Sequence, residues 1–265
     1  MSLSKTDTVL ITGASAGIGA VYADRFANRG HDLVLVARDV AKLNALADRL
    51  RAETGVAVEV LPADLSKPAD VSRIETRLRQ DRSIGALVNN AGIAAFGNVV
   101  GGDVDQMEEV IQINVVAATR LAAAAATAFS ARGHGALINL ASVLALAPER
   151  TNPVYGGTKA FILNFSQALR KELGAGLQIQ VVLPGATRTE IWGRAGKDVN
   201  SLDPNMLMEV GPLVDAALAG FDAGEEVTIP SLPDAADWQG FEAARLKLAP
   251  NLSRNRPAAR YHVVG

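Results

Sequence analysis

Short apolar runs alternate with longer helical patterns from one end of the chain to the other, and this alternation limits its fold more than any other feature. The runs lie at residues 8–11, 32–37, 56–61, 86–88, 136–140, 177–183 and 227–229, and the helical patterns at 17–28, 40–53, 68–79, 104–131, 153–173 and 206–221. Most runs are apolar continuously rather than alternately, as expected of strands covered by helices on both faces. The pattern predicts one doubly wound α/β domain over residues 1–265, with a seven-stranded parallel sheet and ligand sites at the carboxyl ends of its strands.

Two segments depart from it. Residues 188–205 combine Gly193, Gly196 and Pro204 with polar residues, which suits a lid or binding loop. From about residue 230 an extension to 265 holds a short helical pattern with Trp238 and Phe241, then Arg245, Lys247, Arg254, Arg256 and Arg260. Without interleaved aromatic residues these charges read as a solvated surface segment.

Composition narrows the chemistry. The 26 basic residues nearly balance 28 acidic ones, so no overall field favours nucleic acid or an anionic membrane. No cysteine is present, which removes disulfides and thiolate catalysis, and three scattered histidines argue against a metal site. Residues 136–148 are apolar but too short to span a bilayer, and a first strand beginning by Val9 leaves no room for a signal peptide. A cytoplasmic protein is expected, with no membrane partner.

After the first strand the chain reads Thr12-Gly13-Ala14-Ser15-Ala16-Gly17-Ile18-Gly19 and then enters a helix. A glycine at 13 allows the tight turn. Glycines at 17 and 19 let backbone approach a pyrophosphate, and the helix N-terminus offers it free N–H groups. The second strand ends in Ala37-Arg38. A cation there suits the 2′-phosphate of NADP, whereas NAD usually meets a carboxylate, and Asp39 is better explained as the next helix's N-cap.

Tyr155 and Lys159 stand four apart in a helical stretch, so both project from one face. Bringing a tyrosine pKa toward neutrality requires about 3 to 4 kcal/mol, and an ammonium about 4 Å away supplies a similar amount. Ser142, at the end of the fifth strand, could bond a substrate carbonyl oxygen. Asn114, in Ile113-Asn114-Val115, is either a satisfied core amide or a member of a water network that carries protons.

The glycine turn, Asn89-Asn90-Ala91-Gly92, Asn114, Ser142, Tyr155, Lys159 and Pro184-Gly185, in that order, resemble the short-chain dehydrogenase/reductase family, in its branch of about 250 residues, from about Val9 to Ile229. The resemblance implies a Rossmann-type fold, with Tyr155 the general acid/base and Lys159 on the nicotinamide ribose, lowering the tyrosine pKa. It implies that Ser142 orients the carbonyl and Asn114 holds a relay water. Gly13, Ser15, Gly17, Ile18 and Gly19 would hold the phosphates. Arg38, Asp64 and Asn90 would line the adenosine, and Pro184, Gly185 and Thr187 the nicotinamide. Ala16 stands where many relatives have a second serine.

The expected function is hydride transfer between NADP(H), preferred over NADH, and a carbonyl or secondary alcohol. An epimerase, dehydratase or lyase, or a dinucleotide sensor, could use the same fold. Ile93, Ala94, Ala95, Phe96, Val143, Leu144, Ala145, Ile191 and Trp192 follow the motifs around the reacting carbon, so the small-molecule substrate is expected to be largely apolar. Arg150, Arg188 and Arg194 are the cations near enough to contradict this, and they are expected to face solvent. The run from Ala122 to Ala126 makes its helix, near 115–131, apolar all round, which predicts a homo-oligomer that covers it. The resemblance implies a homodimer or homotetramer joined through helices 104–131 and 153–173, and allows the C-terminal segment to cross to a neighbour.

Overall fold

The computed structural model describes residues 3–94, 97–150, 152–173, 176–194 and 198–262, with the side chain of Arg194 outside the description. Ala95, Phe96 and Gly196, singled out above, lie outside the described residues. The chain divides into two compact units, Met1–Pro230 and Ser231–Gly265.

The first unit is built on seven strands: β1 Thr8–Thr12, β2 Leu33–Ala37, β3 Val58–Pro62, β4 Ile84–Asn89, β5 Ala136–Leu140, β6 Gln178–Val182 and β7 Val227–Thr228. All pair in parallel, in the order β3-β2-β1-β4-β5-β6-β7. The order reverses between β1 and β4, and the carboxyl ends of strands at such a switch point form the binding crevice.

Helices α1 Gly17–Asn28, α2 Val40–Thr54 and α8 Val210–Asp222 contribute to one core with Val9 and Ile11 of β1. Leu10 between them turns to a second core with α3 Pro68–Gln80, α5 Ala118–Arg132 and α6 Pro153–Leu173. Alternate residues of one strand thus enter two different cores, which is why the run is apolar throughout. Asp39 caps α2 by accepting from the Lys42 N–H at 3.0 Å, as its position predicts.

Three expectations need correction. The helix of 104–131 is α4 Val104–Ile111, then a π-helical turn Gln112–Ala117, then α5. That continuous run, Val104–Arg132, is long and apolar enough to cross a bilayer, unlike 136–148, but its most apolar stretch is 56% buried inside the fold, as in a core helix. The helix read at 206–221 starts at Val210, because Met208 pairs with Thr187 as an isolated bridge. The Ala122–Ala126 run is covered within the chain, since α5 packs along α3 and all of these alanines but Ala123 are buried. Small side chains allow that close approach.

Between β6 and α8 lie the short helix α7 Ile191–Arg194 and single 3-10 turns at Val199–Ser201 and Pro204–Met206. The second unit holds α9 Ala235–Leu246, in which Trp238 and Phe241 stack with centroids 5.3 Å apart.

Candidate active site

The turn from β1 into α1 has Gly13 at φ +66° and Gly17 at φ +55°, conformations costly for other residues. A Cβ on Gly19 would fall 2.4 Å from the Gly13 carbonyl oxygen and 2.6 Å from Asn90 Nδ2. The Ala16 side chain cannot cap α1, so the first N–H groups of that helix, at Gly17, Ile18 and Gly19, face the crevice uncapped. Ser15 lies beside them, half-buried.

Asn90 braces this turn from β4. Its Nδ2 donates to the carbonyls of Thr12 at 2.9 Å and Gly13 at 3.4 Å. The N–H groups of Asn90 and Ala91 both donate to Thr12 Oγ1 at 3.0 Å. The amide is therefore bound to the backbone of the glycine turn. At the neighbouring strand ends, Arg38 is exposed after β2 and Asp64 half-buried after β3. Burial alone would raise the Asp64 carboxyl, but bonds from the Ser66 hydroxyl and amide, with the charges of Arg38 and Lys67, hold it below the usual range.

Beyond β5, Ser142 is extended (φ −169°, ψ 154°) and buried, with its hydroxyl donating to Pro184 O at 3.4 Å and accepting from the Leu144 N–H at 3.2 Å. Gly185 O in turn accepts from the Thr187 hydroxyl at 3.0 Å. From α6, Lys159 Nζ lies 5.8 Å from the centre of the Tyr155 ring and donates to Leu140 O at 3.0 Å. Tyr155 is half-buried and pushed up to about 12 by desolvation, against which a hydrogen bond with Ser142 pulls down. Lys159, buried, is pushed down to about 8. In the chain alone, desolvation sets the direction of the tyrosine's shift and the Lys159 ammonium is turned to a backbone carbonyl.

Asn114 sits in the π-helical turn, buried. Its Oδ1 accepts from the Ile93 N–H and its Nδ2 donates to Ile93 O, each at 2.9 Å. Both ends of the amide are thus bonded to the backbone of Ile93. A Cβ on Gly92 would lie 3.1 Å from Asn114 Oδ1 and 3.4 Å from Lys159 Nζ, so the amide and the ammonium are neighbours as well.

Residues 7–200 match the family described as short chain dehydrogenase, which is most of the first unit. The chain is a short-chain dehydrogenase. A short-chain dehydrogenase from Sphingobium yanoikuyae, solved in complex with NADPH, shares 55% identity with it over 95% of this chain and 98% of that one, at a TM-score of 0.92. The bulky-bulky ketone specific alcohol dehydrogenase of Comamonas testosteroni shares 46% identity over 97% and 99% of the two chains, at a TM-score of 0.90. Among curated proteins, the 7beta-hydroxysteroid dehydrogenase of Collinsella aerofaciens is 31% identical over 68% of each chain.

The fold of this dehydrogenase brings together the glycine turn, Arg38, Asp64, Asn90, Ser142, Tyr155, Lys159 and the 184–187 segment along the carboxyl edge of one sheet. Its glycine turn fits a dinucleotide: Gly19 lets the start of α1 pack directly on Gly13 and Asn90, where a Cβ would clash, and the uncapped N–H groups of that first turn suit a pyrophosphate. Two residues escaped sequence reasoning. Thr158 Oγ1 donates to Tyr155 O at 2.7 Å and accepts from Asn114 Nδ2 at 3.2 Å, joining the π-helical turn to the tyrosine's own backbone. Thr189 Cγ2 would lie 3.2 Å from a Cβ on Gly17, so the chain after β6 folds against the glycine turn. The signal for Thr158 was its place inside Tyr155-Gly156-Gly157-Thr158-Lys159, while nothing local marked Thr189.

Of the apolar residues that follow the motifs, Ile93, Ala94, Val143, Leu144, Ala145, Ile191 and Trp192 are half-buried. Arg150 is 71% exposed, and Arg188 is paired with Glu209 at 2.8 Å and Asn200 at 3.0 Å.

Proposed function

We propose that this dehydrogenase is cytoplasmic and NADP-dependent, prefers NADPH to NADH, and reduces a bulky, largely apolar ketone or oxidises the corresponding alcohol. The observation that carries the reading is the meeting of Ser142, Tyr155 and Lys159 beside a glycine turn built for phosphates, in apolar surroundings. Supporting it, the Sphingobium neighbour holds NADPH and the Comamonas neighbour is specific for bulky ketones. Arg38 offers the 2′-phosphate a cation, and Arg150 and Arg188 are turned to solvent or to acidic and amide partners.

When bound, the reduced nicotinamide supplies the hydride to the carbonyl carbon. Ser142 holds the carbonyl oxygen by its hydroxyl, and Tyr155 gives that oxygen its proton. A phenol is protonated at neutral pH and can give that proton in the reducing direction. The phenolate left behind has the Lys159 ammonium across its ring. Asn114 positions Thr158, and through it the first turn of α6 that carries Tyr155.

The protein is further read as a homodimer or homotetramer through α4, α5 and α6, because Ile111, Val116 and Phe161 are apolar and exposed there.

The test is NADPH oxidation over paired ketones with and without a carboxylate. Net consumption with bulky apolar ketones, lost in Tyr155→Phe while cofactor still binds, supports the reading. Preference for the acidic partners would point to Arg150, Arg188 or Arg194 as an anion clamp. No consumption with any carbonyl would favour an epimerase, a lyase or a sensor.

A further inference from the structure

The chain between β6 and α8 is tied to itself and to the cofactor half of the sheet at different points. At its base, Thr187 pairs with Met208 and Arg188 bonds Glu209 and Asn200. Two residues on, Glu190 receives two bonds from Lys42 Nζ, at 2.8 and 3.1 Å. Lys42 stands in the first turn of α2, four residues beyond Arg38, and its own N–H is held by the capping Asp39. Thr189, beside Glu190, rests on Gly17 of the phosphate turn. An ion pair from α2 to this segment therefore lies beside the crevice edge where the adenosine ribose of a doubly wound fold sits.

Arg38 alone is a poor match for a doubly charged phosphate, because its charge already acts on the Asp64 carboxylate close by. A second cation is called for. We propose that Lys42 is that cation, a specificity-determining residue that binds the 2′-phosphate of NADP and is held by Glu190 until the phosphate arrives. The proposal rests on the NADP reading above. Both side chains of the pair are about half exposed, at 45% and 51%, and an exposed ion pair of this kind is held weakly. A dianionic phosphate carries more charge and more acceptor oxygens than one carboxylate, so the lysine exchanges partners. Glu190 is then a competitor for the lysine.

The experiment measures dissociation constants for NADPH and NADH, by calorimetry or quenching of protein fluorescence, in the native protein and in Lys42→Met, Glu190→Gln and Lys67→Met. Lys67 is the control, a lysine of the same region whose charge acts on Asp64 and that is not paired with Glu190. Lys42→Met is expected to weaken NADPH about fivefold to tenfold and to leave NADH within about twofold. Glu190→Gln is expected to tighten NADPH a few fold by releasing the lysine, and Lys67→Met to change the ratio of the two constants little. Equal effects of Lys42→Met on both cofactors, weaker NADPH binding in Glu190→Gln, or loss of discrimination in Lys67→Met instead would each overturn the proposal. If the native protein binds NADPH and NADH alike, the NADP reading fails and takes this inference with it. If the native protein prefers NADPH and Lys42→Met keeps that preference, only this inference fails.

Discussion

Arg38 and Asp64 stand at neighbouring strand ends with opposite charges, and the adenosine end of a dinucleotide would meet both. Removing the cation leaves the carboxylate facing a 2′-phosphate, so Arg38→Ala is expected to weaken NADPH about tenfold or more in a binding titration, with NADH nearly unchanged. Lys159 makes a different statement. Its ammonium loses a proton near 10.5 when unfolded and near 8 in the folded chain, so between these values the unfolded state holds more protons and stability rises with pH. Lys159→Met has no such group. The native protein should gain about 3 kcal/mol on the variant between pH 7.5 and 10.5 in cofactor-free denaturant unfolding, and a constant difference would show that the lysine is not desolvated. That Ser142, Tyr155 and Lys159 lie together was legible in the sequence from the motifs taken in order, since a tyrosine and a lysine four apart would alone suit a surface pair. Asn114 was legible as a polar residue in an apolar helix, but its pairing with Ile93 was not, because the two are 21 residues apart. The desolvation of Tyr155 in the chain alone was not legible either, since it depends on neighbours that a spacing rule does not contain.

Strands and helices could be read to within a residue or two because each carries its own apolar pattern: 68–79 became Pro68–Gln80 and 86–88 became Ile84–Asn89. The π-helical turn could not, since what marks it is a side chain bonded to a distant backbone and not a change of pattern. The start of α8 was misplaced because Met208 continues a helical apolar spacing while its backbone is engaged by Ala186 and Arg188. The alanine-rich α5 shows how far pattern reaches: it marked the helix as covered all round, and the cover read as a second subunit is largely α3 of the same chain. Close packing there gives a sharp contrast. Ala124→Leu, at a fully buried position, is expected to cost about 1 to 3 kcal/mol by overpacking. Ala123→Leu, exposed on the same helix, should stay within about 0.5 kcal/mol. Equal melting temperatures for the two variants would contradict the packing of α5 described here.

Because the alanine run is already covered within the chain, the proposed assembly rests on the exposed apolar Ile111, Val116 and Phe161. Light scattering at micromolar concentration should give a dimer or tetramer, and Phe161→Glu should lower the mass; a native monomer would refute the assembly. The strand order has one more consequence, which concerns synthesis. A ribosome delivers β1, β2 and β3 in succession, yet the other neighbour of β1 is β4, whose last residue is Asn89. Until then, β1 presents to the cell a bare strand edge flanked by Val9, Leu10 and Ile11, all of which end with no exposed surface. Early collapse cannot hide it, because the missing strand is still inside the exit tunnel or not yet made. The nascent chain therefore carries an open, apolar strand edge until β4 has left the ribosome, and that is the interval in which a chaperone there would have most to protect.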